Sequence, residues 1–256
     1  MKIALIGSGN VANVLAQEFT GNGHHIITIC SRNKITGNKL ARKYQAAYFS
    51  EIKSISDDAD IYIIATGDSG IKQAVSEFPF VTKPVVHTSG ATNVKELERF
   101  KSYGVFYPLN TITAGKPIPK DTWICIEANS SKLNRELKQL AHSIHCKSII
   151  QSSEKRLATH LAAVIANNFV NSLYQVAFDI LKSEGISMKI LHPLMQTTLD
   201  NALSSEPKKA QTGPAKRKDF TTIKKHLHYL RNNKETKSLY QKINNLIIAQ
   251  SNSTSE

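Results

Sequence analysis

Two glycines and an alanine, set directly behind the first apolar run, narrow the possible folds sharply. Lys2-Ile3-Ala4-Leu5-Ile6 reads as a short buried strand, and Gly7-Ser8-Gly9-Asn10-Val11-Ala12 follows at once. Val11, Val14, Leu15 and Phe19 then recur at helical spacing. A strand, a Gly-x-Gly-x-x-Ala turn and an amphipathic helix are the opening of a parallel α/β sheet that binds a dinucleotide. Gly7 permits the tight turn, Gly9 lets a pyrophosphate approach the backbone, and Ala12 keeps the helix close to the sheet. The free N–H groups at the start of that helix carry a partial positive charge that favours phosphate.

The rest of the first half repeats the alternation. Residues 25–30 read as strand, 39–44 as a short helix and 61–65 as a buried strand. Residues 71–78 read as a helix closed by Pro79, and 84–88 as another strand. Residues 123–127 and 148–151 read as two more strands flanking a helix at 132–145. Strands alternating with helices of this size predict a doubly wound parallel sheet covered on both faces, an α/β Rossmann domain.

The character changes near Ser152. From 157 to 182 there is no glycine or proline, and Leu161, Val164, Ile165, Phe169, Leu173, Val176, Phe178 and Leu181 spread over more than one face. A helix so widely apolar has to be buried against other elements or another chain. Gly185 is placed to stop it. Residues 187–203 and 219–247 supply further helices, and the polar end, 251–256, is expected to fray. The chain therefore divides into a Rossmann domain over 1–152 and an all-α domain over 153–256, the latter expected to form a homodimer.

Which dinucleotide binds is decided at the end of the second strand. NAD binders usually carry a carboxylate there for the ribose 2′-hydroxyl. This chain has Cys30-Ser31-Arg32-Asn33-Lys34. Ser31 can donate a hydrogen bond and Arg32 can pair with a 2′-phosphate, so the expected cofactor is NADP. Ala65-Thr66-Gly67-Asp68 follows the 61–65 strand on the ligand-binding edge, and Ala65, Thr66 and Asp68 are expected along the nicotinamide ribose. His87-Thr88-Ser89-Gly90 ends the next strand on that edge. His87 is either a strand-end histidine satisfied by local backbone or a proton donor. Tyr107, before Pro108, marks either a turn or a substrate contact. On the long helix, His160 and Asn171 lie close to three turns apart and share a stripe with Asn168. The asparagines either bond neighbouring helices or line a cleft.

Net charge is +13, and residues 205–256 hold eleven basic and four acidic side chains. The loop Thr212-Gly213-Pro214-Ala215-Lys216-Arg217-Lys218 is either solvated or receives an anion, with Arg217 the candidate for a substrate carboxylate. No zinc-finger spacing, RNA-recognition signature or basic zipper accompanies the charge, so no nucleic-acid partner is expected. Cys30, Cys125 and Cys146 form neither a disulfide framework nor a zinc motif, and no metal is expected. No apolar run approaches a membrane span of about 20 residues, and the first residues lack a signal-peptide pattern. A cytoplasmic protein without a membrane partner is expected.

Taken together, Gly7-Ser8-Gly9-Asn10-Val11-Ala12, Ser31-Arg32 and Ala65-Thr66-Gly67-Asp68 resemble the NADP-binding domain shared by pyrroline-5-carboxylate reductases and coenzyme F420-dependent NADP oxidoreductases. His87-Thr88-Ser89-Gly90, 104–110, 162–169 and Thr212-Gly213-Pro214 resemble a bacterial family of Rossmann-like proteins. Its C-terminal helical domain, of unknown function, is similar to that of 6-phosphogluconate dehydrogenase. The β-hydroxyacid dehydrogenases of that superfamily place a lysine one turn before an asparagine on the long helix. Here Val164 and Ile165 precede Asn168, and Asn167 and Asn168 precede Asn171, so that mechanism does not carry over. The resemblance implies an NADP(H)-dependent oxidoreductase transferring a hydride to or from a small carbonyl or imine at the interdomain cleft. His160 or His87 would supply the proton, Asn168 would orient the substrate, and Ser89, Tyr107 and Arg217 would bind it. The alternative is a dinucleotide-binding protein, redox-sensing or regulatory, without catalysis.

Overall fold

A computed structural model describes residues 1–252, and the backbone divides into two compact units, Met1–Asn167 and the residues from Asn168 onward. In the first unit, eight strands form one sheet in the order β3-β2-β1-β4-β5-β6-β7-β8. They are β1 (Lys2–Ile6), β2 (His25–Cys30), β3 (Ala47–Phe49), β4 (Ile61–Ile64), β5 (Val85–His87), β6 (Tyr103–Pro108), β7 (Trp123–Ala128) and β8 (Lys147–Ile150). The helices between them are α1 (Asn10–Gly21), α2 (Lys34–Lys43), α3 (Asp68–Glu77) and α4 (Ser131–Ser143), with α5 (Ser153–Ala163) after the last strand.

The two-residue period of the central strands decides which core each side chain enters. Ile3, Leu5, Ile61 and Ile63 face one hydrophobic cluster, together with the α1 stripe Ala12, Leu15 and Phe19 and the α4 residues Leu133, Leu137 and Leu140. Ala4, Ile6, Tyr62 and Ile64 face the opposite cluster, with Ile71, Ala74 and Val75 of α3. Burial on both faces explains why β1 and β4 lack polar alternation. Each fully buried isoleucine or leucine contributes roughly 1.5–3 kcal/mol.

The sheet is parallel apart from one pair. β6 and β7 run antiparallel, with Phe106 opposite Ile126. Their connection carries no helix, and without a crossover the next strand returns alongside its predecessor in the opposite direction. Two strands, the three-residue β3 and the six-residue β6, are added to those the periodicity predicts. α2 starts earlier than the expected 39–44 because the Asn33 side chain accepts the Thr36 N–H at 3.1 Å and caps the helix at residue 34. Gly37 obscures this start in the sequence. It is there because a Cβ would stand 2.5 Å from the Tyr48 ring.

The expected boundary at 152/153 falls at the start of α5, whereas the first compact unit continues to Asn167. α5 is anchored to the sheet through Arg156, described below. The long helix is also not uniform: residues Val164–Phe169 are π-helical, and α6 (Val170–Ser183) resumes after them. In the second unit α6 ends as expected at Gly185, whose φ is +70°. The Ile186 N–H reaches the Leu181 carbonyl and the Gly185 N–H that of Lys182. α7 (His192–Ser204), α8 (Pro207–Ala210), α9 (Phe220–Tyr229) and α10 (Lys234–Asn252) follow. The helical region expected over 219–247 is α9 and α10, parted by a 3₁₀ turn at Leu230–Asn232. Of the polar end, Ser251 and Asn252 belong to α10, and 253–256 lie outside the described residues. Among the described residues no helix is long and apolar enough to cross a membrane.

Candidate active site

The C-terminal ends of β1, β2 and β4 enclose a cavity of about 340 Å³. Gly7 makes it possible. Its φ is +128°, and a Cβ there would lie 2.4 Å from the Ala65 carbonyl oxygen of the neighbouring strand end. Only glycine tolerates both conditions. Gly9 has open space where its Cβ would point, so a ligand can lie against the backbone at the start of α1. Ser8, Ser31 and Thr36 form a hydroxyl cluster at one end: Ser8 Oγ is 2.7 Å from Ser31 Oγ and 2.6 Å from Thr36 Oγ1. Arg32 donates to Gln73 of α3 at 3.1 Å, which holds the guanidinium over the cavity. Thr66 Oγ1 is buried beside the same space without a protein partner. A turn closed to any Cβ, an orphaned hydroxyl and a hydroxyl-guanidinium cluster fit an extended phosphorylated ligand with a second phosphate near Arg32.

Gly7, Ser8, Gly9, Ser31, Arg32, Asn33, Ala65 and Thr66 therefore line one cavity, as the strand-turn-helix pattern predicts. Four other expected cofactor residues do not line it. Ala12 is fully buried and Val11 packs on the same core cluster, so both serve the contact of α1 with the sheet. The Asn10 amide reaches the Ile112 carbonyl oxygen at 3.4 Å. Asp68 opens α3 behind Gly67. Gln73, which lines the cavity, and Thr36, which bonds cavity-lining Ser8, were invisible to motif reading, because α3 and α2 bring them there only after folding.

A second cluster lies where β5 and β6 end. Val105 pairs with His87, which sets Tyr107 beside the Ser89-Gly90 turn. Tyr107 Oη lies 3.0 Å from His160 Nδ1, and the two rings meet edge-on with centroids 5.7 Å apart. Gly90 leaves room for them: a Cβ there would stand 2.7 Å from His160 Nδ1 and 2.8 Å from Tyr107 Cζ. Burial raises the Tyr107 phenol above its ordinary range, with Cys125 and the Asp68 charge adding to it, so the hydroxyl stays protonated. Ser89 Oγ accepts the Ala91 and Thr92 N–H groups and fixes the turn.

His160 is held in place from one turn earlier. Arg156 is 1% exposed, and its guanidinium pairs with Glu127 of β7. It also donates to the Thr92 carbonyl oxygen. Ser153 joins the network: its N–H and hydroxyl donate to Glu127 at 3.0 and 2.8 Å, and its Oγ accepts the Val94 N–H. α5 is thereby fastened to both β7 and the loop after β5.

The other expected site residues are placed as follows. His87 is fully buried, and Nδ1 accepts the Ser89 N–H at 3.1 Å. Burial, and behind it the Arg156 charge, push its pKa down to about 3. A ring held neutral in the core is poorly suited to give up a proton, whereas His160 stands beside the Tyr107 hydroxyl. The stripe of His160, Asn168 and Asn171 assumed an unbroken α-helix, and the π-helical segment disturbs that count. Asn167 is the residue that turns back onto the sheet unit, donating to Thr111 Oγ1 at 2.6 Å. Asn168 is exposed, beyond the end of that unit. Arg217 is exposed in the loop before α9, where Ala215 is the buried anchor and Asp219 caps the helix. Among the described residues no group of three or more histidine, cysteine, aspartate or glutamate side chains could hold a metal ion.

Comparison with known proteins agrees with this arrangement. Residues 2–89 match the family model for coenzyme F420-dependent NADP oxidoreductase. Residues 122–247 match a domain of unknown function, DUF2520. No curated protein matches the chain. A candidate NADP oxidoreductase from Bacteroides fragilis is 31% identical, with 97% of this chain and 98% of that one covered and a TM-score of 0.87. A 1-pyrroline-5-carboxylate reductase from Streptococcus pyogenes (17% identity, 99% and 98% covered, TM-score 0.64) shares the fold. So does a reductive aminase from Aspergillus terreus, solved with NADPH and ethyl levulinate (13% identity, 99% of each chain covered, TM-score 0.74). With a relative of that identity aligned over nearly its whole length, and an NADP-oxidoreductase model matched across the glycine turn, the chain belongs to the two-domain NADP oxidoreductase family that carries DUF2520 at its C-terminal end.

Proposed function

We propose that the protein uses NADPH to reduce a small carbonyl or imine substrate. The observation that carries this reading is the Tyr107–His160 pair, a proton source on the same sheet edge as the cofactor cavity. When bound, NADPH supplies a hydrogen with its electron pair to the substrate carbon, leaving the chain to supply the proton. Gly7, Ser8 and Gly9 would hold the pyrophosphate at the start of α1. Ser31, Arg32 and Thr36 would hold the 2′-phosphate. Ser89 and Tyr107 offer polar groups for orienting the substrate. Screening cyclic imines, oxo acids and oxidised F420 for substrate-dependent NADPH oxidation tests the reading. Loss of NADPH absorbance with at least one class is the expected result.

The cofactor choice has its own test. A charge-assisted hydrogen bond contributes about 1.5–3 kcal/mol, or roughly ten- to hundred-fold in affinity. NADPH is expected to bind more tightly than NADH by that factor, and Arg32→Ala should remove most of the difference. Equal dissociation constants in the unmodified protein would refute the assignment of Arg32.

The helical segment supports a homodimer. In the second unit, Phe169, Leu173 and Phe178, and Leu194, Leu199 and Leu203 of α7, remain 38–78% exposed. Large apolar side chains left uncovered in this number on a single chain mark an interaction surface. Light scattering at micromolar concentration is expected to give the mass of two chains; a single-chain mass would contradict it.

A further inference from the structure

We infer that Tyr107 is the group that hands the proton to the substrate, with His160 behind it as the acid that reloads it and Gly90 as the gap that lets the two rings meet. This rests on the reductase reading above and deepens it.

The pairing is directional. His160 Nδ1 faces the phenol oxygen at 3.0 Å, so that nitrogen is engaged by Tyr107. The phenol oxygen can receive a hydrogen bond from the imidazole and still donate its own proton elsewhere. Tyr107 stands two residues past the Val105–His87 pair of parallel β5 and β6, on the C-terminal edge of the sheet where the cofactor cavity also opens. His160 is only half-buried, and among the described residues its Nε2 makes no hydrogen bond, so it can exchange protons with solvent. Arg156, one turn earlier on α5, fixes the helix that carries the imidazole.

The step balances without another reactant. The Tyr107 O–H bond breaks as its proton forms an O–H or N–H bond on the reduced substrate. The Nδ1–H bond of the His160 imidazolium then breaks, its proton restores the phenol, and the ring is left neutral. The ring keeps its Nε2 hydrogen, so the proton that solvent returns goes back to Nδ1 and restores the imidazolium. Gly90 is the steric condition, since an alanine methyl would displace one ring or both.

Tyr107→Phe keeps the ring and removes only the hydroxyl. In the NADP⁺-bound protein, the titration of the His160 ring, followed by NMR, is expected to shift in Tyr107→Phe, while NADPH affinity stays within about twofold. An unmoved His160 titration overturns the pair as a proton-sharing unit. In turnover, Tyr107→Phe should lower kcat roughly 10²–10⁴-fold, a far larger change than any in KM. His160→Gln should be milder by about tenfold or more, because water can reload a phenolate slowly. Gly90→Ala should lower kcat as well, and combining it with Tyr107→Phe should add little further loss. If the wild type reduces nothing, the reductase reading fails and the relay with it. If it turns over but Tyr107→Phe is no slower than His160→Gln, the relay alone is wrong and His160 is the direct donor.

Discussion

Replacing Arg156 by methionine is expected to destabilise the protein by about 3–5 kcal/mol, the usual consequence of removing one partner of a buried ion pair. The guanidinium is 1% exposed and the Glu127 side chain 17%, so the carboxylate left behind has little water to turn to. The Thr92 carbonyl would lose a charged donor at the same time. Methionine restores much of the lost volume, which separates the electrostatic effect from a cavity effect. Urea denaturation should show the loss as a lower midpoint at unchanged slope. Adding Glu127→Gln to Arg156→Met should recover part of the stability, since it removes the uncompensated charge. A double variant less stable than the single one would mean that Glu127 is held by its Ser153 contacts and not by Arg156.

The second large effect is a dependence on acid. His87 has its pKa lowered from 6.5 to about 3 in the folded protein. The unfolded chain binds this proton below its own pKa while the folded chain refuses it. The contribution to stability is therefore fully present above pH 6.5 and is lost as pH falls toward 3. At about 1.4 kcal/mol per pH unit, moving from neutral pH to about 4.5 should cost on the order of 3 kcal/mol through this one ring. His87→Asn keeps an acceptor near the Ser89 N–H and cannot titrate. Its unfolding free energy should fall less between those two pH values than that of the wild type, whatever its stability at neutral pH. Parallel curves for the two proteins would show that another group governs the acid limb.

These effects mark the boundary of what the sequence made legible. The cofactor turn was readable because its parts are local: a strand, Gly7 at positive φ, Gly9 against open space and the α1 stripe lie within twenty residues of one another. Ser31 and Arg32 follow at the tip of the next strand for the same reason. The Tyr107–His160 pair spans 53 positions, and nothing at either residue announces the other. Arg156 reads in Glu154-Lys155-Arg156 as one more charge at a helix start, yet folding buries it against Glu127, 29 positions away. Gly90 looked like the end of a strand-edge motif, and its purpose appears only when the rings it accommodates are in place. The π-helical segment misled the count of helix faces because hydrophobic spacing in 157–182 suits an α-helix and a π-interrupted one alike.

Whether the cavity and the Tyr107–His160 edge form one reductase is decided by incubating the wild-type protein with NADPH and each carbonyl and imine class while following NADPH consumption and the product mass together. At least one substrate is expected to gain two hydrogens in step with the NADPH oxidised, and Tyr107→Phe to lose nearly all of this activity while still binding NADPH. Tight NADPH binding with no reduced product from any class would contradict the reductase reading and leave a dinucleotide-binding protein without catalysis.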